Sequence, residues 1–207
     1  MSFIAFEGGE ASGKSTQATR LARRLDAVLT REPGGTRLGE ELRSLLLAGD
    51  NEAALPIDPR AEALLMAAAR AQHVAEVIGP ALATGRHVVT DRFTGSSLAY
   101  QGVGRGVGIG PVRALSEFAT GGLDPDLTVV LRVAAGEAAA RLSRQRLDRI
   151  ESAGEAFHRA VESAYDQLAG VEPHWVVVDG SASPDAVEAA VWEVVRERLG
   201  ASVGAGG

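Results

Sequence analysis

Residues 8–15 read Gly8-Gly9-Glu10-Ala11-Ser12-Gly13-Lys14-Ser15, which has the spacing G-x-x-x-x-G-K-[ST] of a loop that cradles phosphate. Lys14 is the one lysine among 21 basic side chains; the others are arginine. A lysine placed at random in such a chain reaches that slot about one time in two hundred, and the flanking glycines and serine must agree as well. The glycines let successive N–H groups curl around phosphate oxygens with no Cβ in the way. Lys14 adds a compact charge where a planar guanidinium would not fit, and the Ser15 hydroxyl is a hard oxygen suited to Mg²⁺. The loop follows the apolar run Ser2–Phe6 and precedes Lys14–Leu25, where Leu21, Ala22 and Leu25 share a helical face. Strand, loop and helix in that order bring a helix N-terminus, with its free N–H groups and positive dipole end, to the phosphates of a nucleoside triphosphate held with magnesium. An ordinary glycine-rich turn is the competing reading, and this flanking context argues against it.

The rest of the chain continues that beginning. Short apolar runs at Ser2–Phe6, Ala27–Thr30, His87–Thr90, Leu127–Val133 and His174–Val178 alternate with longer helical patterns. Right-handed crossovers then give a mostly parallel sheet covered on both faces, with ligand at the carboxyl edge of the strands. The expected fold is α/β: a three-layer α/β/α kinase-like domain over a five-stranded parallel sheet. Leu38, Leu42, Leu45 and Leu46 repeat at helical intervals, as do Val187, Val191, Val194 and Val195, and both sets are expected to face the core. Pro59 and Pro184 suit first-turn positions, with Ser183 as a cap. One domain is expected over residues 1–199, with a lid near 141–151 and a flexible Gly-rich tail at 200–207.

Composition narrows the partners. The chain has 45% apolar and 23% charged residues and a net charge of −6. That balance suits a soluble enzyme with a small partner and gives no global pull toward nucleic acid. With no cysteine, disulfides and thiol catalysis are excluded. The N-terminus lacks a secretory pattern, and Ala61–Ala83 is interrupted by Arg70, Gln72, His73 and Glu76, so it reads as a buried amphipathic helix and not a membrane span. A cytoplasmic location is expected.

Two further clusters point at phosphate. Asp91-Arg92 follows the run His87–Thr90, so its acid is placed at a strand end to support a metal through water, and its arginine to clamp a second phosphate. Alone, the pair also fits a weak surface ion pair. Arg141, Arg144, Arg146 and Arg149 lie in the segment joining two helical patterns. They read as a mobile arginine lid that stabilises a transferring phosphoryl group, an effect of roughly 10³ to 10⁵ in rate, or as a solvated helix end.

Six segments then carry a resemblance: Phe6-Glu7-Gly8, residues 30–36 (Thr-Arg-Glu-Pro-Gly-Gly-Thr), Asp91-Arg92-Phe93, residues 96–102 (Ser-Ser-Leu-Ala-Tyr-Gln-Gly), residues 122–128 (Gly-Leu-Asp-Pro-Asp-Leu-Thr) and Arg146-Leu147-Asp148-Arg149. In order and spacing they resemble bacterial thymidylate kinases, from about residue 3 to 199. The resemblance implies a P-loop nucleoside monophosphate kinase-like fold, a homodimer, and transfer of the γ-phosphoryl group of ATP to dTMP with Mg²⁺. It implies that Gly8, Gly9, Glu10, Ala11, Ser12, Gly13, Lys14 and Ser15 hold ATP. Ser15 and Asp91 serve the metal, and Lys14, Asp91, Arg92, Arg146 and Arg149 serve catalysis. For the acceptor it implies Arg43 and Arg92 on the phosphate, with help from Arg31, and Glu10 toward the sugar. Tyr100 lies under the sugar where a 2′-hydroxyl would clash, and Arg70, Ser97 and Gln101 read the base. Gly180-Ser181-Ala182 takes the position next to adenine.

Two positions depart from that pattern. Ala11 stands where one branch of the family places a loop arginine, which shifts the weight to Arg146 and Arg149. Met66 stands at the base-stacking position commonly held by phenylalanine, and a flexible thioether chain gives a less preorganised platform. Two other readings remain open. One is a kinase of another nucleotide such as dUMP, because the sequence does not size the pocket around the base. The other is a nucleotide-dependent switch, against which stands the absence of any Asn-Lys-x-Asp element.

Overall fold

The computed structural model describes residues 1–48, 56–134, 137–138, 141 and 148–200. Five strands, β1 (Phe3–Glu7), β2 (Val28–Arg31), β3 (Val88–Asp91), β4 (Leu127–Arg132) and β5 (Trp175–Asp179), form one sheet in the order β2-β3-β1-β4-β5. Every pairing is parallel, with Ile4 opposite Val89 and Leu127, and Thr128 opposite Trp175. β1 is fully buried, as is most of β4, which is why they read as unbroken apolar runs. Alternate residues serve opposite layers. Ile4, Phe6, Val89 and Leu131 pack with Leu21 of α1 (Lys14–Leu25) and Val187, Val191 and Val195 of the C-terminal helix Pro184–Leu199. Phe3, Ala5, Val88 and Phe93 face the other way. On that side Val130 meets Tyr165, Leu168 and Trp175. Each such large apolar side chain contributes roughly 1.5–3 kcal/mol on burial.

The connections follow local signals. α2 (Arg37–Leu46) starts at Thr36, whose hydroxyl accepts from the Gly39 N–H at 2.9 Å. α3 (Pro59–His73) starts at Asp58 with Pro59 in its first turn, and the chain stays helical through a π-turn, Val74–Ile78, and α4 (Gly79–Ala83). After β3 come a single α-turn, α5 (Thr94–Ser97), a second π-helical stretch, Leu98–Gly104, and α6 (Ile109–Thr120). α7 (Glu155–Val171), β5 and α8 (Pro184–Leu199) complete the described chain; Ser183 caps α8 through the Ala186 N–H, and Pro184 opens it. The tail 201–207 lies outside the described residues.

One expectation is corrected. Leu38 and Leu45 are 46% and 38% exposed, and of the four leucines on α2 only Leu46 is fully buried. The helical spacing is real, but the residue it carries inward is Gly39, whose Cα lies so close to the Gly34 carbonyl that a Cβ would sit 2.5 Å from its oxygen.

Candidate active site

The carboxyl edge of the sheet carries the polar ends of the strands. Between β1 and α1 the loop curls through three positive φ angles, at Gly8 (131°), Ala11 (54°) and Gly13 (92°). A Cβ on Gly8 would lie 2.3 Å from the Leu131 carbonyl oxygen, so β4 itself demands glycine there. Lys14 is 6% exposed and folds back over the loop, donating to the Gly9 carbonyl at 2.6 Å and to Ser12 Oγ at 3.2 Å. Burial, then the Arg92 charge, pushes its ammonium down to about 8. The Ser15 hydroxyl donates to Asp91 Oδ2, and Asp91 Oδ1 is buried without a partner. An orphaned carboxylate oxygen beside a serine hydroxyl fits Mg²⁺, which takes few protein ligands and keeps waters and phosphate oxygens. Among the described residues no group of three or more histidine, aspartate or glutamate side chains gathers for a metal.

Arg92, at φ 73°, is aimed back over the loop. It donates to Gly8 O at 3.3 Å, Ser96 Oγ at 3.1 Å, Glu10 Oε1 at 2.5 Å and Tyr100 Oη at 3.3 Å. Burial opposes its charge, but Glu10 and its neighbours hold the guanidinium well above the usual value. Burial likewise works against the Glu10 carboxylate; Arg92 and Lys14 outweigh it and hold Glu10 at about 2. The Tyr100 hydroxyl donates to the same Glu10 oxygen at 2.7 Å. Arg43 Nη1 donates to the Pro33 carbonyl at 2.9 Å, while Arg31 is occupied by a two-pronged pair with Glu40.

Two clefts meet over these groups. The larger is lined by the loop residues Glu10 to Gln17 with Asp91, Arg141, Gly180 and Pro184. The second is smaller and is lined by all eight expected acceptor residues: Glu10, Arg43, Met66, Arg70, Arg92, Ser97, Tyr100 and Gln101. Glu10, Glu32, Arg43, Arg92 and Glu151 line both. Within the second cleft Arg70, 2% exposed, donates to Glu32 Oε2 at 2.8 Å, Phe93 O at 2.9 Å, Ser97 Oγ at 3.0 Å and Ser116 Oγ at 3.3 Å.

A family model described as thymidylate kinase matches residues 6–191. The chain belongs to the thymidylate kinase family. A thymidylate kinase of Synechococcus sp. (strain JA-3-3Ab) is 50% identical over 208 residues, covering 97% of this chain and 98% of that one. One of Bifidobacterium longum (strain NCC 2705) is 47% identical over 201 residues, covering 94% and 97%. The crystal structure of thymidylate kinase from Ehrlichia chaffeensis matches with a TM-score of 0.72 at 31% identity, over 94% of this chain and 98% of that one. The five-stranded parallel sheet with its phosphate loop is thus the nucleoside monophosphate kinase-like fold of the thymidylate kinases.

The four arginines expected to form a lid do not gather in one place among the described residues. Arg146 and Arg144 lie outside the described residues. Arg149 lines neither cleft; it donates to the Leu46 carbonyl at 2.9 Å and to Glu62 Oε2 at 2.6 Å, tying the segment before α7 to α2 and α3. Arg141 does reach the larger cleft, bridging Ala11 O at 3.1 Å and Gly180 O at 3.3 Å. Sequence reasoning gave no role to the buried acids beneath the site. Glu7 Oε1 accepts from the Phe93 and Ser96 N–H groups at 2.9 Å, and Oε2 from Ser96 Oγ at 2.6 Å and Tyr165 Oη at 2.9 Å, which fixes the turn carrying Arg92; burial pushes its carboxyl up. Glu32 receives both Arg70 and His73. An acid closing an otherwise apolar strand was the available signal for Glu7.

Proposed function

We propose that this chain transfers the γ-phosphoryl group of ATP to dTMP, giving ADP and dTDP, in a cytoplasmic step of dTTP formation. The observation that carries the reading is the pair of clefts meeting over Arg92, Arg43 and Glu10, one floored by the phosphate loop and the other, smaller one lined by Arg70, Ser97 and Gln101. Two nucleotides lying in them approach phosphate to phosphate. The loop N–H groups and Lys14 take the ATP phosphates, and Arg92 and Arg43 take the acceptor phosphate. An acceptor oxygen forms the new bond to the γ-phosphorus as the bond to the β–γ bridging oxygen breaks, and that oxygen leaves on ADP. The acceptor is already anionic, so no general base is needed, and catalysis is positioning with charge neutralisation. Ser15 and Asp91 would hold Mg²⁺, which supplies neutralisation of charge on the phosphate oxygens. Arg146 is the lid residue assigned to the transferring group, Arg149 the one that anchors the lid.

In the acceptor pocket Arg70 offers donors to the thymine carbonyl, Ser97 and Gln101 face the base edge, Met66 packs on the ring, and Tyr100 with Glu10 lies at the sugar. Residues 1–199 act as one domain. The homodimer is supported by exposed apolar side chains on neighbouring helices: Leu64 of α3, 57% exposed, and Phe118 of α6, 88% exposed. Among the described residues no helix is long and apolar enough to cross a membrane.

The test is ADP formation with ATP and Mg²⁺ against dTMP, dUMP, dCMP, dGMP, AMP, thymidine and no acceptor, with Lys14→Ala as the blank. Strong dTMP-dependent turnover, lost in the variant, is expected. Turnover that ignores dTMP and follows another nucleotide overturns the acceptor assignment.

A further inference from the structure

Glu62 is a buried acid that the phosphoryl-transfer chemistry does not use. Its side chain is 1% exposed, on the first turns of α3, and it gathers three donors from two segments: Gln101 Nε2 at 2.9 Å and Arg105 Nε at 3.2 Å, both from the π-helical stretch and its end, on Oε1, and Arg149 Nη2 at 2.6 Å on Oε2. Burial works against its charge, yet these donors hold the carboxyl below its usual value. An ionised carboxylate only accepts hydrogen bonds. The amide of Gln101, itself 1% exposed, therefore has one orientation available: its NH₂ must face Glu62. Its oxygen is left on the opposite side of the amide, and among the described residues Oε1 receives no hydrogen bond. Gln101 also lines the acceptor cleft.

We propose that Glu62 is a positioning residue for base selection, fixing the amide of Gln101 so that its oxygen, and not its NH₂, meets the ring edge of the acceptor base. The inference rests on the reading of this cleft as the acceptor-nucleotide site. A free glutamine accepts from an N–H or donates to a ring nitrogen equally well by turning its amide over. Glu62 removes that freedom. Thymine and uracil carry N–H at ring position 3 and satisfy an oxygen placed there; cytosine presents a lone pair at the same position and opposes it. Leaving such a buried acceptor unpaired is costly, which is how a polar site rejects the wrong base.

The experiment compares kcat/KM for dTMP and dCMP in the wild type, in Glu62→Gln and in the swap Glu62→Gln with Gln101→Glu, alongside competitive binding of N3-methyl-dTMP to the wild type. A glutamine at 62 either donates or accepts, so the Gln101 amide is released. The dTMP/dCMP ratio is expected to narrow by roughly tenfold or more, through a higher KM for dTMP with KM for ATP unchanged. The swap lets the residue at 62 donate to a carboxylate at 101, whose other oxygen faces the base, and is expected to recover the dTMP preference. A purely structural role moves thermal stability but not this ratio. An unchanged ratio in folded Glu62→Gln overturns the proposal, as does N3-methyl-dTMP competing as tightly as dTMP. If Glu62→Gln does not fold, the swap carries the test, and indifference of the swap to the base overturns it. A wild type that uses dCMP as well as dTMP overturns the proposal while leaving dTMP an acceptor, whereas a wild type that does not use dTMP refutes the acceptor assignment itself, before any variant is compared.

Discussion

Lys14 sits between opposing influences: burial and Arg92 push its ammonium down, while Glu10, Asp91 and Glu7 pull it back. The net value of about 8 lies below the ordinary 10.5. As pH rises through 8, the free enzyme loses the cation that faces the ATP phosphates, so kcat/KM for ATP is expected to fall by about tenfold per pH unit above that point. Bound phosphates favour the charged form, so kcat should hold to higher pH; a kcat/KM profile flat to about pH 10 contradicts the assignment. The linkage has the matching sign. Between 8 and 10.5 the folded state binds fewer protons at Lys14 than the unfolded chain, so this group lowers stability at neutral pH, and the deficit disappears as pH rises through that window. At the base, Met66 lines the acceptor cleft as a partly buried side chain. Met66→Phe is expected to lower KM for dTMP roughly 2- to 10-fold by adding a rigid stacking face, with kcat little changed. An unchanged or raised KM would sink that reading.

At the scale of elements, the cap of α2 offers a clean perturbation. Thr36→Ala removes the acceptor for the Gly39 N–H and is expected to cost about 1 kcal/mol, seen as a Tm lower by roughly 2–4 °C and restored in Thr36→Ser; equal Tm values for all three proteins contradict it. All five strands and the helix Lys14–Leu25 were legible as apolar periodicity. Yet β1, β2, β3 and β5 each start and end one residue later than their apolar runs, closing on Glu7, Arg31, Asp91 and Asp179. Hydropathy stops where the ladder does not, because those last residues hydrogen-bond as strand while carrying polar side chains, of which Arg31 and Asp91 line the larger cleft and Glu7 lies buried beneath it. The leucines of α2 misled for a related reason. Spacing reports that a helix has an apolar stripe, and says nothing of whether that stripe meets the core or another surface. The eight residues that the resemblance implies for the acceptor all line one cleft, five of them in quoted motifs and Arg43, Met66 and Arg70 outside them. The roles of Glu32 and Glu62 were not legible, since they act through Arg70 and Gln101 across 38 and 39 residues of sequence, a pairing that only the fold creates.

The whole molecule leaves apolar side chains uncovered on α3 and α6. If these form the proposed dimer face, the protein in solution has about twice the 21.4 kDa of one chain, and Phe118→Asp reduces it to that of one chain. A wild type that runs as a single chain at assay and millimolar concentrations alike refutes the dimer while leaving the transfer reaction intact. The proposed reaction moves a group between two bound nucleotides, as opposed to hydrolysing one. The most direct measurement follows the phosphorus atoms by ³¹P NMR in a mixture of the protein, ATP, Mg²⁺ and dTMP. The β-phosphate resonance of dTDP should grow in step with ADP while inorganic phosphate stays at background, and Lys14→Ala should show neither change. Inorganic phosphate appearing with ADP, and no dTDP, would contradict the assignment and make the protein a nucleotide hydrolase.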